Sequence, residues 1–413
     1  MRILIAPNAF KESATAAQAG SAIASGVLRE LPDAIVHVVP IADGGDGTVE
    51  AWKAMHDGLR ELTAEVTGPR PELPRSRASF VMDDKRGTAI GEMASAAGLH
   101  LVPPAMRDPY RTTTHGVGEL LMAMAEECRK VVSARHPCIL LGLGGSATVD
   151  GGVGMAAALG FRFLDADGQS LHGPLTGSQL ESIRSIVPPP VHPLPGVNIE
   201  ALTDVRNPLI GTEGAAAVFG PQKGAPPWMV AKLEDGLGHL ATMMKRDLGV
   251  EVIDVPGGGA AGGLGAAMWG FLGARLRPGA EAMLELADIP RLLDICDFAI
   301  TGEGRFDSSS LQGKAPGVLV HWALDRARPV WLIVGDCPIA ETELRQAGIA
   351  GVERLLDQAS DPADAMQRAL ELLEAAGAAT ARSIRGSRLR SSAHPTENSP
   401  GAPHRRGESD HRA

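Results

Sequence analysis

Four glycine-rich loops, spread over the whole chain, constrain this sequence more than any other feature. They occupy 42–48 (Ala-Asp-Gly-Gly-Asp-Gly-Thr), 142–152 (Gly-Leu-Gly-Gly-Ser-Ala-Thr-Val-Asp-Gly-Gly), 257–263 (Gly-Gly-Gly-Ala-Ala-Gly-Gly) and 302–307 (Gly-Glu-Gly-Arg-Phe-Asp). Small residues gathered at the ends of short apolar runs, mostly mixed with one or two carboxylates, are the mark of strand ends in a layered helix-and-sheet protein. The 50 glycines of the chain are tolerable in such a protein because they concentrate in loops.

Around these loops the alternation of elements is legible. A short strand at 4–6 stops at Pro7-Asn8, and Thr15 to Gln18 has capping-box spacing before a helix with Ala19, Ile23 and Val27 on one face. A second strand at 36–39 ends at Pro40, and Thr48 opens the next helix. The middle reads differently, with short strands at 63–67, 77–82 and 87–93 broken by Gly68-Pro69-Arg70-Pro71, which suits an antiparallel or mixed sheet. Helices are predicted over 114–129 and 228–248, a buried strand over 138–141 and a loop over 188–196. The parallel pattern returns with strands at 298–301 and 330–334 and a helix over 361–382.

These readings predict an α/β protein of two domains. A Rossmann- or flavodoxin-like parallel-sheet domain takes residues 1–60 plus 285–382, and a mixed α/β domain, 61–284, is inserted into it. From 383 to 413 the chain is Ser, Arg, His, Pro and Gly with few apolar residues, so a disordered tail is expected.

A chain of 413 residues is long enough for two cores, and with aromatics at only 3% they must be packed mainly by aliphatic side chains. Residues 382–413 hold seven Arg and three acids, a local balance of +4. The total of −10 therefore leaves −14 on the body, which argues against nucleic-acid or membrane partners. Cys128, Cys138, Cys296 and Cys337 show no metal or redox spacing, the N-terminus lacks a signal-peptide core, and no run approaches a membrane span. The expected setting is cytoplasmic, with small-molecule partners. A homodimer is allowed but not specified.

Glycine loops turn backbone N–H groups toward a ligand, a helix beginning after them favours phosphate, and nearby carboxylates suit Mg²⁺ held together with phosphate oxygens. A Walker P-loop is absent, since Gly313-Lys314 lacks the following Ser or Thr. Gly257, Gly259 and Gly262 match the dinucleotide fingerprint, but no clear βαβ unit or ribose-binding acid accompanies them. Close helix packing is the competing reading.

Seven strings, in order over about 1–360, make the resemblance specific. They are Ile5-Ala6-Pro7-Asn8-Ala9-Phe10-Lys11-Glu12-Ser13, the loop from Ala42, the run from Gly144, Thr203-Asp204-Val205-Arg206-Asn207-Pro208-Leu209, 219–225, 260–263, and 302–307 with Gly313-Lys314-Ala315-Pro316. The chain resembles the bacterial glycerate kinase family. The resemblance implies a two-domain kinase using ATP and Mg²⁺ in an interdomain cleft, with D-glycerate as acceptor and 2-phosphoglycerate as the usual product. Asn8-Ala9 stands where the family often has Asp-Ser, Val149 where Asn is common and Ser309 where Gln is frequent.

Phosphoryl transfer to an alcohol needs cations, metal-holding acids and a base. Sequence does not separate the roles of Asp43, Asp46, Asp150, Asp204, Glu303 and Asp307. Asp204 is assigned as base, with Asp150 second, because small residues adjoin both; Glu303 and Asp307 are assigned to metal. Lys11 and Arg305 are assigned to the glycerate carboxylate or the transferred phosphate. Asp43, Gly44, Gly45, Gly144, Gly145, Ser146, Thr148, Gly262 and Lys314 are assigned to the nucleotide. At least one of the acids is expected only to cap a helix, Lys223 suits a surface ion pair, and His115 suits a structural role. Competing functions are an NAD-dependent hydroxy-acid oxidoreductase and a non-catalytic small-acid sensor.

Overall fold

The computed structural model describes residues 1–10, 12–43, 48–56, 58–131 and 134–392. Among them lie thirteen strands. The first seven are β1 (Arg2–Pro7), β2 (Ile35–Val38), β3 (Arg60–Val66), β4 (Ser76–Asp83), β5 (Thr88–Glu92), β6 (Cys138–Gly142) and β7 (Arg162–Leu164). The remainder are β8 (Ser185–Val187), β9 (Asn198–Leu202), β10 (Arg275–Arg277), β11 (Phe298–Gly302), β12 (Val330–Val334) and β13 (Ile349–Arg354).

Five strands form a parallel sheet in the order β13-β12-β11-β1-β2. Numbered within that sheet alone, the order is 2-1-3-4-5, the flavodoxin-type winding. Strand β1 shows why it is buried on both faces. Ile3 and Ile5 enter one apolar cluster and Leu4 and Ala6 the other, so the run reads as continuously apolar. On the first face lie helix Ala16–Glu30, begun by the Thr15–Gln18 capping box, and the long helix Ala369–Ser392. These two helices cross closely at Gly26, where an added Cβ would stand 1.9 Å from the carbonyl oxygen of Glu374.

The second sheet has the order β10-β9-β6-β5-β4-β3 and is inserted in sequence between β2 and β11. Strands β3, β4 and β5 are antiparallel neighbours, and β5, β6, β9 and β10 are parallel. The α/β class, with one parallel and one mixed sheet, agrees with the expectation from sequence.

Two expected boundaries are corrected. Helix Thr48–Met55, assigned from sequence to the first unit, packs on the second sheet, where Trp52 is fully buried with Val81, Ile90, Leu140 and Leu202. The tail does not begin at 383: the final helix continues to Ser392, and Ile384 is 0% exposed against the helix face carrying Ile23 and Val27. Arg385 also donates to the carbonyl of Glu30 at 3.4 Å. Residues 393–413 lie outside the described residues. No helix of the described residues is long and apolar enough to cross a membrane.

Ending the chain after Ser383 should therefore cost about 2 kcal/mol, the scale of burying one large aliphatic side chain. Ending it after Ser392 should leave the urea midpoint in place. Equal midpoints for the two truncations would show that the last turns of this helix contribute nothing.

Candidate active site

In a doubly wound sheet, ligands bind beyond the carboxyl ends of the strands, where the winding reverses. Here that point lies between β1 and β11. The Asn8 N–H donates to the Gly302 carbonyl at 2.8 Å, and Thr301 Oγ1 donates to the Ala6 carbonyl at 2.7 Å. These bonds hold Asn8 and Glu303 at the mouth of one cleft of about 1330 Å³. Asp43, Asp204, Glu303, Arg305, Asp307 and Lys314 all line it, although they come from three separate sequence motifs.

Asp43 is held from two sides. Asn8 Nδ2 donates to Oδ2 at 3.1 Å, and the N–H of Ala315, in the first turn of helix Ala315–Asp325, donates to Oδ1 at 2.7 Å. Asp204 follows β9 and brings the second sheet's strand ends to the same cleft. Its side chain opens onto the cleft, yet the surrounding walls strip enough water from the carboxyl to push it up to about 6. Asp43 adds repulsion, and the N–H groups of Ala280 and Gly279 pull the other way.

Glu303 is nearly buried, which raises its carboxyl above the usual range against the opposing pull of Ser310 and Lys314. Lys314 Nζ stands 3.9 Å from Glu303 Oε2, while Glu303 Oε1 is buried with no hydrogen-bond partner among the described residues. A buried carboxyl oxygen left without a donor suits a cation, which would favour its ionised form. Among the described residues no three His, Cys, Asp or Glu groups are close enough to cage a metal, so any Mg²⁺ would need phosphate oxygens as further ligands.

Asp307 proves to be the helix cap. Its Oδ1 accepts from Ser309 N at 3.0 Å and Ser309 Oγ at 2.6 Å, which holds the carboxyl below its ordinary range. Only Oδ2 is left, 4.0 Å from Arg305 Nε. Arg305 is 64% exposed and pairs with Asp336 at 3.2 Å, an acid that sequence reasoning did not assign. The signal for Asp336 was present, since Gly335-Asp336 directly follows β12. Asn8, noted only as a departure from the family pattern, is the amide that holds Asp43.

The run 142–152 does not reach this cleft. Asp150, assigned as second base, is 0% exposed and accepts four hydrogen bonds: from Thr114 N, Thr114 Oγ1, Gly152 N and Gly154 N, at 2.7 to 3.3 Å. Its oxygens are fully engaged inside the second unit. Ser146 and Thr148 are also internal, bound through the Lys223 ammonium, which donates to Ser146 Oγ and the Thr148 carbonyl at 2.7 Å each. Lys223 is thus a buried anchor and not a surface cation. Burial pushes it down to about 7 against the pull of Asp150.

Gly144 and Gly145 do not line the cleft either: the Gly145 carbonyl accepts from Leu99 N, beside the Gly98–Ser146 bridge. Gly262 packs at φ +70°, where a Cβ would lie 2.0 Å from the Thr148 carbonyl oxygen. The G-x-G-x-x-G match is therefore close backbone packing and not a dinucleotide loop. His115 opens helix His115–Lys130, its Nδ1 is buried without a partner among the described residues, and burial lowers its basicity. Lys11, Gly44, Gly45 and Asp46 lie outside the described residues.

Residues 3–385 match the model of the glycerate kinase family. The chain belongs to that family. It is 42% identical over 357 residues to a glycerate 2-kinase of Escherichia coli K12, covering 86% of this chain and 91% of the relative. It is 40% identical over 375 residues to a glycerate kinase of Halalkalibacterium halodurans, covering 91% and 96%. A crystal structure from Salmonella typhimurium LT2, provisionally named glycerate kinase 2, is similar with a TM-score of 0.79 at 38% identity, over 94% of this chain and 99% of that one. Within a glycerate kinase fold, the cleft at β1 and β11 is thus the candidate site, and the glycine run of the inserted unit is part of its scaffold.

Asp150→Ala should reflect that scaffold role. Four donors would lose their acceptor, a loss of about 3–5 kcal/mol in urea unfolding. The folded fraction should turn over within about threefold of the wild type. Turnover slowed by about two orders of magnitude or more, at normal stability, would instead return Asp150 to the chemistry.

Proposed function

We propose that this cleft transfers the γ-phosphate of ATP to a hydroxyl of D-glycerate, giving 2-phosphoglycerate and ADP. ATP as co-substrate follows from membership of a kinase family. The observation that carries the assignment of chemistry is the meeting of Asp204, which follows β9, with Glu303 and Lys314, from a motif about 100 residues further on, in one cleft.

Asp204 takes the proton of the attacking hydroxyl. A carboxyl poised near 6 is ionised at neutral pH yet more basic than an ordinary aspartate, as a general base requires. Lys314 presents its ammonium beside Glu303, where it offsets charge on the transferred group. Arg305, exposed on the rim, offers a two-pronged donor to the glycerate carboxylate or to phosphate. Asp43, fixed by Asn8 and Ala315, keeps a negative charge near Asp204 and so maintains its basicity.

Glu303 is the residue that would hold Mg²⁺, through the oxygen that lacks a partner, with Asp307 contributing at most one oxygen. When bound, Mg²⁺ would neutralise phosphate charge. A cytoplasmic setting completes the reading and suits four free cysteines. Hydride transfer and a purely sensory role find no support, since the glycine fingerprint is packing and the relatives are named as kinases.

The test is turnover with ATP, Mg²⁺ and glycerate, with the product identified by its phosphorus NMR spectrum as the 2-phospho or 3-phospho acid. Because the Asp204 carboxyl is raised, it is protonated and inactive as a base below about 6 and ionised above it. The wild-type kcat/KM should therefore climb with pH and level off above about 6. Asp204→Asn should lose that limb and slow turnover by at least about 100-fold, the usual worth of acid–base assistance. Near-normal turnover of this variant would remove Asp204 from the role.

A further inference from the structure

The cleft is chemically divided, and its second half has no use for glycerate. Its lining also includes Leu356, Pro362 and Met366, backed by the buried Leu355 and Ala365, together with Ala16 and Ala17. Met366 is 41% exposed, an apolar side chain standing open in a site whose other end is carboxylates and cations. Glycerate carries no apolar face. Of the two substrates, only the nucleotide has a flat ring that gains by leaving water against such a wall.

The order of the strand ends matches a linear ligand. Passing across the sheet from β1, one meets Asn8, then Glu303 after β11, Gly335 and Asp336 after β12, and Leu355 and Leu356 after β13. Three strand spacings separate β1 from β13, or about 14 Å, which is the scale of an extended nucleoside triphosphate. Polar groups for phosphate lie at one end and the apolar wall at the other. Asp336, between them, lies where a carboxylate would accept from ribose hydroxyls.

We propose that the adenine base of the phosphate donor lies on the Leu356, Pro362 and Met366 wall beyond β13, with its phosphates running back toward Lys314 and Glu303. This rests on the kinase reading for the identity of the donor. The unbranched thioether of Met366 conforms to a ring face and makes a favourable sulfur–aromatic contact. The preference is therefore for a planar base and not for the triphosphate alone.

The experiment separates base from phosphate. Binding of ADP and of inorganic tripolyphosphate is measured by calorimetry on the wild type, Met366→Asp and Met366→Leu, alongside KM for ATP and for glycerate. Met366 is open to solvent, so the substitutions should not disturb the fold, which a urea midpoint verifies.

Met366→Asp should weaken ADP at least about tenfold and raise KM for ATP equally. Tripolyphosphate affinity and KM for glycerate should stay within twofold, and Met366→Leu, which keeps the apolar area but loses the thioether, should weaken ADP by less than about threefold. ADP and tripolyphosphate weakening together, or neither changing, would overturn the placement. Wild-type protein that binds ADP with this pattern but never phosphorylates glycerate would sink the acceptor assignment and leave the base site standing.

Discussion

The candidate site depends on the parallel pairing of β1 with β11. The pair joins segments 295 positions apart through the Thr301 hydroxyl on the Ala6 carbonyl, and it opens a crevice where the winding of the sheet reverses. Without that pairing, Asn8 and Glu303 would have no common neighbourhood. The insertion of a whole second sheet between β2 and β11 does not disturb it, because both faces of β1 are filled by apolar clusters that lock its register.

The second sheet contributes scaffold and one carboxylate. Asp150 with its four donors and Lys223 with its two acceptors are two neighbouring sets of satisfied polar groups inside that unit. Such groups are held in place because each would be costly to leave unpaired. The run that carries Asp150 meets the end of β9 where the Leu143 N–H donates to the Leu202 carbonyl at 2.9 Å, two residues before Asp204, the group that lines the cleft with the first sheet. Asp43 links the two sides: it is held by a residue after β1 and by the first turn of helix Ala315–Asp325, and its charge adds to the burial that raises Asp204.

Much of the fold was legible because both burial patterns leave a signature. The two-sided burial of β1 and β12 writes continuous apolar runs, and the Thr15 and Gln18 cap writes its own spacing. The site was half legible. Asp204, Glu303, Arg305 and Lys314 meet in the cleft as their loop positions suggested. Asp150, Ser146, Thr148 and Gly262 do not, because a glycine that lets two backbones touch has the same sequence signature as one that cradles phosphate. Likewise, a carboxylate satisfied by four internal donors looks, in sequence, like one waiting for substrate. Asp307 reads as a ligand until its Ser309 partner is seen, and the helical turn through Ile384 was hidden by a polar, arginine-rich composition.

The central claim is spatial: transfer occurs at the β1–β11 crevice and not beside the glycine run of the inserted unit. A crystal structure with a non-hydrolysable ATP analogue, Mg²⁺ and glycerate tests it most directly. The account predicts the terminal phosphate between Lys314 and Glu303, with a glycerate hydroxyl within hydrogen-bond reach of Asp204. Phosphates seated instead on the loop around Ser146 and Asp150, with the crevice empty, would contradict it.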